Sequence, residues 1–185
     1  MPYISIAIAV PVLLLVWLIV TYNNLIRLRN LTREGWSGID VQLKRRYNLI
    51  PNLVETVKGY SRHEQQLFTE VSRLRSQAQA AEGVKEAGEA ETQLTGSLKS
   101  LFAIAEAYPE LKANRNYLEL QNQLIDIEEH LQMARRYFNG TVRDLNTKIE
   151  SFPTNLVAGL FKIEKRDFFA LELATQREAP EVRMG

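Results

Sequence analysis

The chain has 185 residues, which at roughly 100–200 residues per domain allows one modest globular domain. Lysine and arginine number 23 against 22 aspartates and glutamates, and a net charge of +1 excludes a polycation that coats nucleic acid by bulk charge. There is no cysteine and there are only two histidines, His63 and His130, so disulfides, thiolate metal sites, a cysteine nucleophile and a three-histidine metal site within one chain are excluded.

Hydrophobicity is concentrated at the start. Residues 1–26 carry no charged side chain; the first is Arg27. The apolar run from Tyr3 to Tyr22 is about 20 residues, and at 1.5 Å per residue it spans about 30 Å, the thickness of a bilayer core. Tyr3, Trp17 and Tyr22 suit interfacial positions. Pro11 sits mid-span, where a kink is tolerated in lipid. No Lys or Arg precedes the apolar run, and no small-residue cleavage site follows it, which argues for a retained anchor over a cleaved signal. Residues 4–20 lack a polar face, which argues against a buried core helix. Arg27, Arg29 and Arg33, then Lys44, Arg45 and Arg46, flank the span on one side only, so the positive-inside rule puts the N-terminus outside and the rest in the cytoplasm.

Beyond the anchor the periodicity is helical, with no convincing alternation of strand type. One segment runs from Leu43 to Ala81, with apolar positions at Leu43, Tyr47, Ile50, Val54 and Val57 and then Leu67, Val71, Leu74, Ala78 and Ala81. Pro51 predicts a kink or a fresh start near Asn48–Pro51. Ser61 and Glu64 have the spacing of a capping box for a restart; an uninterrupted helix with Ser61 on its wet face is the alternative. The small, acidic stretch 82–91 reads as an exposed connection. A third helix is expected over about 89–108, with Leu94, Leu98, Leu101, Ala105 and Tyr108 in its core, ended by Pro109. The last is the clearest: Asn116 as N-cap, then Leu120, Leu124, Ile127, Leu131, Ala134, Phe138, Val142, Leu145, Ile149 and Phe152 at steps of 3 or 4, stopped by Pro153. A second apolar cluster follows, from Phe152 through Leu156, Val157, Leu160, Phe161 and Ile163 to Phe168, Phe169, Leu171 and Leu173. It reads either as a short helix plugging the bundle or as a contact to lipid or another subunit. The expected organisation is an anchor over 1–26, a helical bundle over 27–174 and a disordered tail over 175–185.

Charge is uneven. Residues 27–62 hold eight Lys/Arg and three Asp/Glu, a net of +5 beside the membrane, where anionic lipid attracts basic groups. Nucleic-acid binding would need aromatic–basic interleaving or a groove-reading motif, and neither is present. No dinucleotide fingerprint, P-loop, zincin or nucleophile-elbow motif occurs. His130 with Asp126 at i, i+4 reads as an exposed contact, and Glu128-Glu129-His130 has the wrong spacing for a diiron bundle. No catalytic, cofactor or metal residue and no small-molecule substrate is assigned.

Several motifs carry a family resemblance. They are Tyr22-Asn23-Asn24-Leu25-Ile26-Arg27 after the anchor, the run Trp36 to Val54, Val57-Lys58-Gly59-Tyr60, Glu106-Ala107-Tyr108-Pro109, Ala134-Arg135-Arg136-Tyr137-Phe138-Asn139 and Phe152-Pro153-Thr154-Asn155. In order and content this set resembles the LemA family over roughly residues 1–170. The resemblance implies an all-α bacterial protein: an N-terminal transmembrane helix followed by a cytoplasmic antiparallel four-helix bundle. It implies no enzyme, because the family has no established activity. Some members take part in membrane-organelle formation, and some sit beside membrane metalloproteases in genomes.

The function expected is therefore a non-enzymatic, single-pass inner-membrane protein that self-associates and organises the membrane, or else an adaptor for a membrane protease or envelope-stress system. Asp40, Lys44, Asn48 and Asn52, with Arg135, Asn139 and Arg143, form polar stripes at helical spacing. Each is either a solvated face or a candidate subunit interface. Tyr3, Trp17, Tyr22, Arg27, Arg29 and Arg33 are the candidate membrane-interface residues. Ser5 and Ala9 add a small-xxx-small face to the anchor.

Overall fold

A computed structural model describes residues 2–61 and 64–169, with side-chain surroundings from residue 8 onward. Its regular structure is helical throughout, in the order α1 (Pro2–Lys58), α2 (Gln65–Ala80), α3 (Val84–Glu106), α4 (Pro109–Lys112), α5 (Arg115–Glu150) and α6 (Thr154–Leu160), with no strand among the described residues. The all-helical expectation holds.

α1 is one helix of 57 residues that passes the expected anchor boundary at 26–27 without a break. The apolar side chains between Ile8 and Val20 are mostly exposed, unlike those of a core helix, and α1 from Ile8 onward is long and apolar enough to cross a membrane. Tyr3 and Ser5 lie outside the described side chains.

The fresh start expected near Pro51 is not found. Pro51 has no N–H, so the carbonyl of Tyr47, four residues back, lacks its intrahelical donor. Arg75 Nε of α2 donates to that oxygen at 2.7 Å. A side chain replaces the missing amide, and the helix continues to Lys58 with the Pro51 ring exposed.

The restart falls at Gly59–Glu64, but without a capping box. Ser61 N bonds back to Val57 O at 3.1 Å, and α2 opens behind Glu64 with no side-chain cap. Ser61 is buried, and its hydroxyl has no hydrogen-bond partner among the described residues. The expected connection over 82–91 is also shorter than its composition suggests. Gly83, at φ 88°, makes the turn, and α3 is under way at Val84. At the other end α3 stops at Glu106, and Pro109 opens the short α4, which buries Leu111. Asn114, not Asn116, caps α5: its Oδ1 accepts from Tyr117 N at 3.1 Å.

The chain divides into two compact units. The first comprises Met1–Ile39 and Ala134–Asp167. Leu25, Leu145, Val157, Ala158 and Ile163 form its core, with Tyr22, Ile26, Leu28 and Ile149 packed against them. Trp36 meets Phe138 with ring centroids 5.6 Å apart. Gly35 permits that approach, because a Cβ there would stand 3.1 Å from Phe138 Cα. α6 ends in a Schellman turn, in which Ile163 N bonds Ala158 O at 2.9 Å and Lys162 N bonds Gly159 O at 3.2 Å, with Lys162 at φ 51° in the position usually held by glycine. Asn146 clamps the following segment by two 2.9 Å bonds to the backbone of Arg166. Phe152, expected in the core of the last helix, lies beyond its end and is 81% exposed.

The second unit comprises Asp40–Met133 and the segment from Phe168, of which Phe168 and Phe169 are described. Its core takes Leu43, Tyr47, Ile50 and Val54 from α1, Phe68, Val71 and Leu74 from α2, Leu94, Leu98 and Leu101 from α3, and Leu124, Ile127 and Leu131 from α5. These are nearly all positions that helical periodicity selects.

Candidate functional site

The second unit encloses a charged cluster. Arg46 on α1 is buried, and its Nη1 lies 3.0 Å from Glu91 Oε2 on α3. Its Nη2 donates to Thr95 Oγ1 at 3.1 Å, and Nη1 also lies 3.6 Å from Glu128 Oε2 on α5. The Tyr47 hydroxyl donates to the other Glu91 oxygen at 2.5 Å. Glu91 is 0% exposed. Both of its oxygens are therefore held, one by a guanidinium and one by a phenol, as a buried carboxylate requires.

Helical spacing explains the placement. Arg46 follows Leu43 by three and precedes Ile50 by four, so it lies on the inward face of α1 beside Tyr47. Glu91 precedes Leu94 by three and follows Ala87 by four on the buried stripe of α3. Burial pushes the Glu91 carboxyl above the ordinary carboxylate range, against the pull of Arg46 and of the Tyr47 hydroxyl. Burial, together with the negative charge of Glu91, pushes the Tyr47 phenol upward, so it stays protonated and donating.

An apolar groove of about 330 Å³ adjoins the cluster, with Leu98, Phe102, Leu124 and Ile125 on its walls and Lys99 and Glu128 among its polar groups. Arg46 forms part of its lining. The cluster supplies electrostatic pinning between α1, α3 and α5.

None of the cluster was singled out from sequence as a site. Arg46 read as membrane-facing charge and Glu91 as part of a connection. The proposed interface residues lie elsewhere. Asp40 and Lys44 form an exposed pair at 2.6 Å, and Asn48 and Asn52 continue their stripe on the solvent side of α1 in the second unit. In the first unit Arg135 and Asn139 are partly exposed, and the exposed Arg143 lies 3.6 Å from Asp144. Of the membrane-interface set, Trp17, Arg27 and Arg33 are exposed, while Tyr22 and Arg29 are partly covered. His130 Nε2 stands 3.6 Å from Asp126 Oδ1 with both side chains exposed, and His63 lies outside the described residues.

The sequence profile of the LemA family matches residues 35–184, most of the chain. The chain belongs to the LemA family. Among curated relatives, Protein LemA of Metamycoplasma hominis is 27% identical over 137 residues, covering 74% of this chain and 63% of the relative. Magnetosome protein MamQ 2 of Paramagnetospirillum magneticum is 22% identical over 178 residues, covering 82% of this chain and 65% of the relative. Magnetosome protein MamQ of Magnetospirillum gryphiswaldense is 24% identical, covering 90% and 72%. This LemA-family chain thus spans less than two thirds of the length of the first two relatives. The matched region contains the whole Arg46–Tyr47–Glu91–Glu128 cluster. An exposed apolar leading helix in a LemA-family chain is consistent with a membrane protein.

Proposed function

We propose that this LemA-family chain is a non-enzymatic protein of the bacterial inner membrane, single-pass with its N-terminus outside, that self-associates and organises the membrane. The observation that carries the reading is the continuity of α1. Its exposed apolar part runs without a break into a part that supplies buried residues to each unit's core. Arg27, Arg29 and Arg33, which follow the span, support the orientation. Close approaches of Gly35 to Phe138 and of Gly38 to Ala134 run in opposite chain order, which supports an antiparallel pairing of α1 with α5 within the proposed bundle. The relatives named as magnetosome proteins agree with the membrane-organelle role that the family resemblance carries. Anchoring confines copies to two dimensions and raises their effective concentration, so weak contacts through the Asp40–Asn52 stripe and through Arg135, Asn139 and Arg143 suffice for assembly.

Full-length protein in mild detergent should elute well above monomer mass, and a cysteine placed by Asn48→Cys should cross-link between copies. A monomer in several mild detergents, without cross-links in lipid, would overturn self-association. The apolar groove beside Arg46 favours a second reading, an adaptor for a membrane protease or envelope-stress system. A stoichiometric non-self partner recovered from native membranes, and lost on Ile125→Glu, would favour it.

A further inference from the structure

We infer that α6 is a second membrane contact: a short interfacial segment that lies against the bilayer surface beside the anchor and sets Phe152, Leu156 and Leu160 into the boundary between headgroups and acyl chains. The inference rests on the anchored reading of α1. Its evidence is the way α6 is built into the first unit. Val157 and Ala158 on one side of α6 pack on Leu25 and Leu145, and the Schellman turn brings Ile163 into the same core. That side is fully used.

The other side is bare and apolar. Leu156 is 63% exposed and Leu160 is 67% exposed, four residues apart on α6, and the exposed Phe152 stands in the turn that leads into the helix. Two large apolar side chains on one side of so short a helix, with a third in the turn that leads into it, form an apolar patch left open to water.

Its position selects lipid as the occupant. Phe161 closes α6 with its ring on Tyr22, centroids 4.5 Å apart, and Tyr22 is the aromatic residue at the inner end of the apolar span. Leu25, which α6 covers, is three residues further along α1, about 5 Å by helix rise. The bare stripe is therefore continuous with the exposed apolar surface that ends at Val20 and Tyr22, at the depth where the headgroup region begins. The flanks mix Lys148, Lys162, Lys165 and Arg166 with Glu150, Glu164 and Asp167, all exposed, so charged groups that can meet headgroups border the apolar patch on both sides in sequence. With α1 inserted, α6 gives a second point of attachment, and the first unit is fixed in tilt and rotation against the membrane plane instead of swinging on a single rod.

The chain contains no cysteine, so one introduced cysteine is unique. Full-length variants Leu156→Cys, Leu14→Cys as mid-span control and Gln132→Cys as solvent control are labelled with an environment-sensitive fluorophore. They are then reconstituted in nanodiscs that contain anionic lipid and lipids spin-labelled at shallow or deep acyl positions. The label at residue 156 is expected to emit to the blue of that at 132 and to be quenched more by shallow than by deep nitroxides, while the label at 14 is quenched most by deep ones. A label at 156 that behaves like that at 132, with 14 quenched, overturns this inference and leaves the anchor intact. A blue-shifted label at 156 that no lipid nitroxide quenches assigns the stripe to a second copy and also overturns it. Absence of quenching at 14 overturns the anchored reading itself.

Discussion

Arg46→Ala should be among the most damaging single substitutions in the second unit. The change removes the guanidinium from Glu91, 3.0 Å away, and from Thr95 and Glu128, and leaves a carboxylate with no solvent exposure held by the Tyr47 hydroxyl alone. Removing one partner of a buried ion pair costs about 3–5 kcal/mol, because the surviving charge keeps its desolvation penalty without its attraction. At about 2–4 °C per kcal/mol for a chain of this size, the melting temperature should fall by roughly 6–20 °C. Thermal unfolding of the full-length protein in detergent, followed by helical circular dichroism, reads this directly. The origin of the loss is tested by Arg46→Met, Tyr47→Phe and Glu91→Leu combined, which removes the buried ion pair together with the phenol that holds it and leaves only the partly exposed Thr95 hydroxyl and Glu128 without Arg46. That triple variant should be more stable than Arg46→Ala alone, since apolar replacement of a complete buried pair is often neutral or better. A fall below about 1 kcal/mol for Arg46→Ala, or a triple variant less stable than the single, would refute the reasoning.

The same cluster predicts a pH signature. The folded-state pKa of Glu91 is raised, so the native state binds a proton more readily than the unfolded chain does, and the stability contributed by this group falls as pH rises from the ordinary carboxylate range through the folded value. Wild type should gain stability relative to Glu91→Gln as pH is lowered from neutrality into that window; a difference independent of pH would contradict it. Arg75→Met should cost about 1–3 kcal/mol by stranding the Tyr47 carbonyl, and should cost much less in a Pro51→Ala background, where the restored amide takes over; equal costs in both backgrounds would sink the account of Pro51. Two glycine substitutions should differ in sign. Gly35→Ala, facing Phe138 Cα at 3.1 Å, should destabilise by about 1–3 kcal/mol, whereas Gly96→Ala, with open space around it in α3, should stabilise by about 0.5–1 kcal/mol, both by thermal unfolding.

The apolar skeleton was legible because burial follows the 3.6-residue period. Leu94, Leu98, Leu101 and Ala105 on α3, and Leu124 through Leu145 on α5, were selected by spacing and are buried apart from the half-covered Ala134. Carried back one step, the α3 series lands on Glu91 and then Ala87. A charged residue on an apolar stripe is the signal that was available, and the small, acidic composition of 82–91 masked it. Arg46 was hidden in the same way by its basic neighbours Lys44 and Arg45, which face solvent. Pairings such as Arg75 with the Tyr47 carbonyl were out of reach, because they depend on which helices meet and not on any local pattern. Asn114 lost out to Asn116 as the expected cap because both are asparagines within one turn, and only the Tyr117 amide distinguishes them.

The central claim is that the leading part of α1 stays in the bilayer with the helical body on its cytoplasmic side. Labelling of Tyr3→Cys and Gln132→Cys full-length variants with a membrane-impermeant maleimide in intact spheroplasts, read on carbonate-washed membranes, tests it most directly. The account predicts both proteins in the membrane pellet, with residue 3 labelled at once and residue 132 only after lysis. Protein released to the soluble fraction, or residue 132 labelled in intact spheroplasts, would contradict it.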